Sequence, residues 1–596
     1  MKLIISKTKN AASLYVAKSV WKNNRCSSVI VEKLGTEKKL REKLNGQDPY
    51  KWAKAYVKEL TIKEKEAKRQ VMVEYFPTKV IEKDRQVSFN GGYLFLQKIY
   101  YDLGINKICE SIKKRHKFKF DLNETLEYLT YGRMLFPASK LATQEIAKTF
   151  IKPANIEMQH FYRSLEVLSK EHDFIQAELY KNSQALLKRN TKILFYDCTN
   201  FYFEIEEGDE DKQYGKSKEN RPNPIVEMGL FMDGDGIPLA FGIYPGNTNE
   251  QTTLNPLEEK ILSDFKLSKF VVCTDAGLSS TANRKFNSVK NRAFITTQSI
   301  KKLKRYLMDW ALDSKGWRLS GVSSKDGKQE REYDLSKIEE FYQDTNRTVQ
   351  EKMALESKVF YKERWINENG LEQRLIVTFS LKYKNYQRGI REGQIERAQK
   401  AVNTNSAKLK KCNANDYKRF VKKEYCTKNG EMAEKEILSI DQEIIEDESR
   451  FDGFYGVCTN LEDRVDEIVK INQGRWEIEE CFRIIKSEFK ARPVYLRRKD
   501  RIRAHFMSCF LSLIIYRMLE KQIMPTKDMD GKFSCHQILS TLSDMNFYNI
   551  RHEGFVPTYK RTDLTDTLHE RFGFRTDYEI LSNKKIRDIL KITKPD

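Results

Sequence analysis

Residues Arg475 to Lys486 read RWEIEECFRIIK. The spacing predicts a helix that carries Arg475, Glu479 and Lys486 at i, i+4 and i+11. At about 100° per residue, Glu479 lies about 40° around the helix from Arg475, and Lys486 about 20° from Glu479. One stripe therefore holds an acid between two cations. Far upstream, two short apolar runs each end in an aspartate: KILFYD at Asp197 and FVVCTD at Asp275. Three carboxylates from distant segments, joined by a fold, could hold a divalent metal and leave room for a phosphate. That pattern points to chemistry on DNA.

Each element has a plainer reading. A charged helical stripe is commonly a solvated face tied by i, i+4 ion pairs. Aspartates at strand ends commonly cap turns. The combination and its order, not any one element, carry the argument.

The chain has 596 residues, enough for several domains, and a formal charge of +22. Such an excess of Lys and Arg suits a polyanionic partner, with nucleic acid first among them. The competing explanation is a lysine-rich proteome. Ten cysteines are scattered with no CxxC pair, which excludes the usual zinc fingers and fits a reducing cytoplasm. The N-terminal apolar run is too short for a signal peptide. The longest apolar stretch, FMSCFLSLIIYRML from Phe506, has 14 residues. A membrane span needs about 20, so a buried helix is expected and no membrane partner.

Along the chain, residues 1–85 read as a small β unit followed by a charged helix. Residues 86–188 are helical, broken at Phe136-Pro137, and carry a basic cluster at Lys113, Lys114 and Arg115 that is a candidate for phosphate contact. Strands begin at about Thr191: KILFYD, PIVEMGLFM and IPLAFGIYPG. The last two are joined by Asp233-Gly234-Asp235-Gly236, a hairpin signal. Residues 301–452 read as an insert with a strand pair, VFYKERWINE and QRLIVTFSLKY, and charged helices; the run KLKKCNANDYKRFVKKEY from Lys408 is strongly basic. FYGVCTN from Phe454 is a further strand, and the tail from about Thr526 contains Asp528-Met529-Asp530-Gly531.

An aspartate on a strand, a second after a later strand and a glutamate on a helix is the layout of an RNase H-like nuclease core. With these residues the chain resembles the bacterial DDE transposases of the insertion sequence four superfamily. It is most similar to the group typified by the mycoplasma insertion sequence sixteen-thirty-four. The superfamily's helix signature is Y-x2-R-x3-E-x6-K, and Arg475, Glu479 and Lys486 match it. Asn472 stands at the tyrosine position, a departure. RPVYLRRKDRIRAHF and GDGIPLAFGIYPGNTNEQTTL also fit, while Ser217-Lys218-Glu219 stands where the group more often has Ser-Lys-Asp. The 204 positions between Asp275 and Glu479 suit an insertion domain within the core.

The resemblance implies an α/β multidomain protein: an RNase H-like core in two parts, 189–300 and 453–525, interrupted by a β-rich insertion domain at 301–452. A helical DNA-binding region at 86–188 precedes it, and a C-terminal region at 526–596 serves dimerisation. Asp197, Asp275 and Glu479 would hold two Mg2+ ions, with Mn2+ as a substitute, Asp197 bridging them. Arg475, Lys486 and Asn472 would contact phosphates. Glu204 and His505 are candidates for supporting the acids, and Trp476 reads as a core tryptophan more readily than as a base-stacking one. The implied activity is binding of the element's terminal inverted repeats, metal-dependent cleavage, and joining of the 3′-OH ends to target DNA, by a homodimer in the cytoplasm at the nucleoid. Two rivals remain: a DNA-binding protein without catalysis, and a structure-selective nuclease without strand transfer.

Overall fold

The computed structural model describes residues 1–8, 11–22, 25–44, 47–67, 70–321, 331–404, 416–426, 432–524 and 533–595. Two features of the sequence fall outside them: the first part of the basic run from Lys408, and Asp528-Met529-Asp530-Gly531. The chain forms two compact units, Met1–Arg85 with Ile550–Gly554, and Gln86–Asn549 with Phe555–Asp596.

In the first unit, strands β1 (Lys2–Thr8), β2 (Ala11–Lys22) and β3 (Arg25–Thr36) form an antiparallel meander. Helices α1 (Glu37–Lys43) and α2 (Pro49–Ala67) follow. Leu14, Leu40 and Ala53 form its small core.

The second unit opens with six helices: α3 (Tyr93–Asp102), α4 (Ile105–Arg115), α5 (Leu122–Leu135), α6 (Lys140–Ala147), α7 (Met158–Lys170) and α8 (His172–Leu186). Asp121 and Ser139 cap α5 and α6 by accepting backbone N–H groups, as short polar side chains do at helix starts. A mixed sheet of nine strands comes next. In chain order these are β4 (Ile193–Tyr202), β5 (Ile225–Asp233), β6 (Pro238–Pro245), β7 (Phe270–Thr274), β8 (Arg292–Gln298), β9 (Arg318–Leu319), β10 (Phe360–Glu368), β11 (Leu371–Phe379) and β12 (Phe454–Thr459). Their spatial order is β9-β10-β11-β12-β8-β7-β4-β5-β6. The expected hairpin at Asp233–Gly236 joins β5 to β6. Only β4, β7 and β8 run parallel, and the chain crosses from β6 to β7 through α9 (Leu254–Asp264). β4 is therefore the strand where the chain turns from one side of the sheet to the other, a place where α/β sheets open a crevice.

The stretch 301–452 adds strands to this same sheet. β11 pairs with β12 (Ile376↔Val457), so the expected strand pair extends the sheet edge. Beyond β12 come α10 (Val465–Gln473), α11 (Trp476–Arg483) and α12 (Lys499–Ile523). The apolar run from Phe506 lies in α12, where every residue from Ala504 to Glu520 is buried. A helix apolar all round must be covered all round. Here α3, α5, α7 and β6 cover it, although its length and composition would also suit a membrane.

Candidate active site

Alternation along β4 sets the site. Leu194, Tyr196 and Cys198 point to one face and pack with Leu254, Leu257 and Ile261 of α9. The odd positions point to the other face, under α10 and α11. Phe195 meets the turn between those helices at Gly474, where a side chain would stand 3.0 Å from its ring. Asp197 comes next, then Thr199, whose Oγ1 accepts from Lys486 Nζ at 2.6 Å, and Phe201, whose ring lies 5.4 Å below the same ammonium.

Asp275 follows directly on β7. Tyr196 pairs with Thr274 in the parallel register, so Asp197 and Asp275 are next neighbours across two adjacent strands. Asp197 Oδ1 accepts from the Cys198 N–H at 2.8 Å. Burial pushes the Asp197 carboxyl up to about 6, against the opposing pull of Lys218 and Arg475, and nearby Asp275 adds to the rise. Arg475 Nη1 lies 3.2 Å from Asp275 Oδ1, and its Nε is buried without a partner.

Glu479 lies on α11, which packs on β4 through a face that buries Ile478, Cys481 and Phe482. Its side chain is exposed, and among the described residues no hydrogen bond or ion pair engages it. The three acids do not close into a group of oxygens within 4.8 Å; among the described residues only Asp566, His569 and Asp577 do, and there Arg561 and Arg575 already neutralise the two acids. Two neighbouring aspartates and an unengaged glutamate offer hard oxygen donors, which fits a divalent cation such as Mg2+.

Several expectations are corrected. The helix is not one regular run from Arg475 to Lys486: Arg475 caps α11, and residues Ile484–Glu488 form a π-turn. The wider turn shifts the angular phase after Arg483, so Lys486 reaches down to Thr199 instead of sharing a stripe with Glu479. Asn472 is not placed to touch DNA. It is 4% exposed, its Nδ2 donates to Tyr455 OH at 2.9 Å, and its Oδ1 accepts from Cys273 Sγ at 3.6 Å. Trp476 is no core residue, being 55% exposed beside the acids' helix face. Glu204 lies past the end of β4 and is exposed, and among the described residues no hydrogen bond ties it to Asp197. His505 is buried and its Nε2 donates to Ala491 O at 3.2 Å instead of to any of the three acids, and burial beside Arg133 and Lys140 holds it neutral. Lys113 and Lys114 are exposed at the end of α4, but Arg115 is paired with Glu171 and stacked 3.9 Å over Phe174.

The sequence reading missed residues that crowd the site. Lys218 Nζ donates to Cys198 O and lies 3.2 Å from Glu250 Oε1. Glu227 on β5 is 3% exposed, and its Oε1 has no partner. Burial, and the Glu250 carboxyl beside it, push its carboxyl up and keep it protonated beyond the ordinary range. A signal for it existed: Glu227 is the one acid inside the apolar run PIVEMGLFM.

The family profile of the transposase DDE domain matches residues 189–515, more than half of the chain and the whole span from β4 into α12. The chain belongs to the DDE transposases. Transposases of this family act on DNA in transposition and recombination and generally use divalent metal ions. Among solved structures, this transposase is similar to the piggyBac transposase synaptic complex with hairpin DNA, seen by cryo-electron microscopy, at 9% identity over 85% of this chain and 86% of that chain, with a TM-score of 0.33. No curated protein matches the transposase.

Proposed function

We propose that this DDE transposase belongs to the insertion sequence four superfamily, in the sixteen-thirty-four group. It binds the terminal inverted repeats of its own element, cleaves by metal-dependent phosphodiester hydrolysis, and joins the released 3′-OH to target DNA, working as a homodimer in the bacterial cytoplasm. The observation that carries this reading is the placement of Asp197 on β4 beside Asp275 at the end of the parallel strand β7, with the Glu479 helix packed on β4. The same placement supports an RNase H-like core.

Asp197, Asp275 and Glu479 would hold two Mg2+ ions. Such ions make a nucleophile of water and stabilise charge on the leaving 3′ oxygen. Asp197, the most buried of the three and beside Asp275, suits the bridging place. Arg475, tied to Asp275, keeps other donors for a phosphate beside the cut, and Lys486 offers a second cation on the other side of Asp197. Trp476 stands exposed next to Arg475, where a base can stack on it. Lys113 and Lys114 are open for backbone contact away from the acids.

Incubation with the element's flanking DNA and Mg2+, followed by mapping of the ends on a sequencing gel, tests the proposal. Cuts are expected at the element ends, with joined products when target DNA is added. Asp197→Ala, Asp275→Ala and Glu479→Ala should each lose cleavage by at least about 100-fold, as loss of a metal-binding or charge-stabilising group does, while retaining DNA binding. Near wild-type cutting by Glu479→Ala would remove α11 from the site, and cutting without joining would leave a nuclease.

A further inference from the structure

Beside the acids lies a cluster whose charges do not balance. The loop after Tyr214 returns along β4 and is clamped there. Asn200 Nδ2 donates to Lys216 O at 3.1 Å, and the Lys218 N–H donates to Asn200 Oδ1 at 3.3 Å. Ser217 Oγ accepts the N–H groups of Glu219 and Arg221 at 3.3 and 3.2 Å. These bonds fix the loop backbone from which the Glu219 side chain extends. Its Oε1 pairs with Arg492 and lies 3.7 Å from Lys486 Nζ; its Oε2 lies 3.5 Å from Arg221 Nε. Three cations thus share one carboxylate.

None of the three has another carboxylate partner among the described residues. Lys486 has only the Thr199 hydroxyl and the Phe201 ring, and Arg221 stacks 4.2 Å over Tyr202. Arg221 is exposed and Arg492 partly so. Burial, together with the neighbouring Lys218, pushes the Lys486 ammonium down to about 8 against the pull of Glu227 and Asp197. Thr199, which Lys486 holds, is two residues from Asp197 on the same face of β4.

We propose that Arg492, Lys486 and Arg221 form a binding site for a backbone phosphate of DNA next to the cut, and that Glu219 occupies this site as an internal stand-in which the phosphate displaces. The proposal rests on the reading of the chain as a DNA-cutting enzyme. A phosphodiester offers two anionic oxygens to the planar forks of two arginines, which match phosphate geometry as well as they match a carboxylate. Glu219 sits on a loop at the surface, so its side chain can swing out without disturbing the sheet. Free enzyme then pays no penalty of three uncompensated cations, and the site opens only to a group that competes with Glu219.

The test measures affinity of the full-length protein for a fluorescently labelled duplex carrying the element's end, in Ca2+ to prevent cutting. Glu219→Gln should bind about tenfold tighter at low salt, since removing an acid that competes at a phosphate site has an effect of this order. Glu145→Gln, which changes net charge equally on the exposed surface of α6, should bind as wild type. Arg492→Ala should weaken binding more in the Glu219→Gln background than in the wild type, because only there is Arg492 free of its internal partner. Unchanged or weaker binding by Glu219→Gln with an unaltered melting temperature would overturn the proposal. If that variant melts lower, the comparison of Arg492→Ala in the two backgrounds decides, and equal losses overturn it. Absence of binding by every protein, wild type included, would instead sink the DNA reading on which the proposal stands.

Discussion

Asp197 keeps its proton further up the pH scale than an ordinary carboxylate. Its value in the fold, about 6, stands above the ordinary 3.8 because burial disfavours the charge. The sign follows. Between 3.8 and about 6 the native state binds a proton that the unfolded chain has released, so Asp197's contribution to stability falls as pH rises through that window. A divalent cation needs the carboxylate and must expel the proton. Mg2+ affinity, measured by calorimetry, is therefore expected to be about tenfold weaker at pH 5 than at pH 8, one unit below the Asp197 value costing about a factor of ten. Equal affinities at the two pH values would separate Asp197 from the metal. The two aspartates were legible in sequence because each follows an apolar run, although β4 continues past Asp197 to Tyr202 and only Asp275 closes its strand. What surrounds a residue was less so. Periodicity placed Asn472, Trp476 and His505 on helices but said nothing of what covers each of them or leaves it bare. Tyr455, 17 positions before Asn472 and on another element, is what turns that amide inward.

Helix α11 owes its orientation to a pair on its far side. Glu477 Oε2 accepts from Arg517 Nη2 at 2.6 Å, and Arg517, wholly buried in α12, also binds Glu520 at 2.7 Å and Gly236 O at 2.7 Å. Gly236 adopts φ +77 in the β5–β6 turn, and a side chain there would stand 1.8 Å from Glu477 Oε2. Turn, helix and buried arginine are thus locked together, which leaves Glu479, two residues on, facing outward. Removing one partner of a buried pair leaves a charge uncompensated. Because Glu520 remains, Glu477→Ala should cost about 2–3 kcal/mol in urea unfolding, somewhat below the range for a sole partner. A cost under about 0.5 kcal/mol, the level of an ordinary surface change, would show that the pair does not hold the helix. The helix itself was legible from its spacing. The π-turn that follows was not, because a pattern read at 3.6 residues per turn carries no sign of where an extra residue is accommodated.

At the scale of the molecule, the site belongs to one compact unit, but that unit is assembled from distant stretches of chain. β4 pairs with β7, and β8 with β12 more than 150 positions later. Such pairings leave no trace in local patterning, so the joining of 301–452 to the sheet emerges only in three dimensions. The same holds for α12, whose apolar surface was legible but whose covering helices were not. α3, α5 and α7 pack on α12 from the other end of the chain. This predicts how the protein can be divided. A chain beginning at Gln86 keeps every element around Asp197, Asp275 and Glu479 together with the helices that cover α12. It should be soluble, unfold cooperatively, and bind Mg2+ as tightly as the full chain. A fragment ending near Leu187 keeps α3, α5 and α7 but loses α12, exposing the apolar faces that α12 covers. Exposed patches of that kind drive aggregation, and this fragment should precipitate or show no cooperative melting transition. Circular dichroism melts of both pieces decide the matter. A cooperative transition in the short fragment would mean that the helices form a core without α12, and a molten chain from Gln86 would mean that the first unit is needed to complete the fold around the acids.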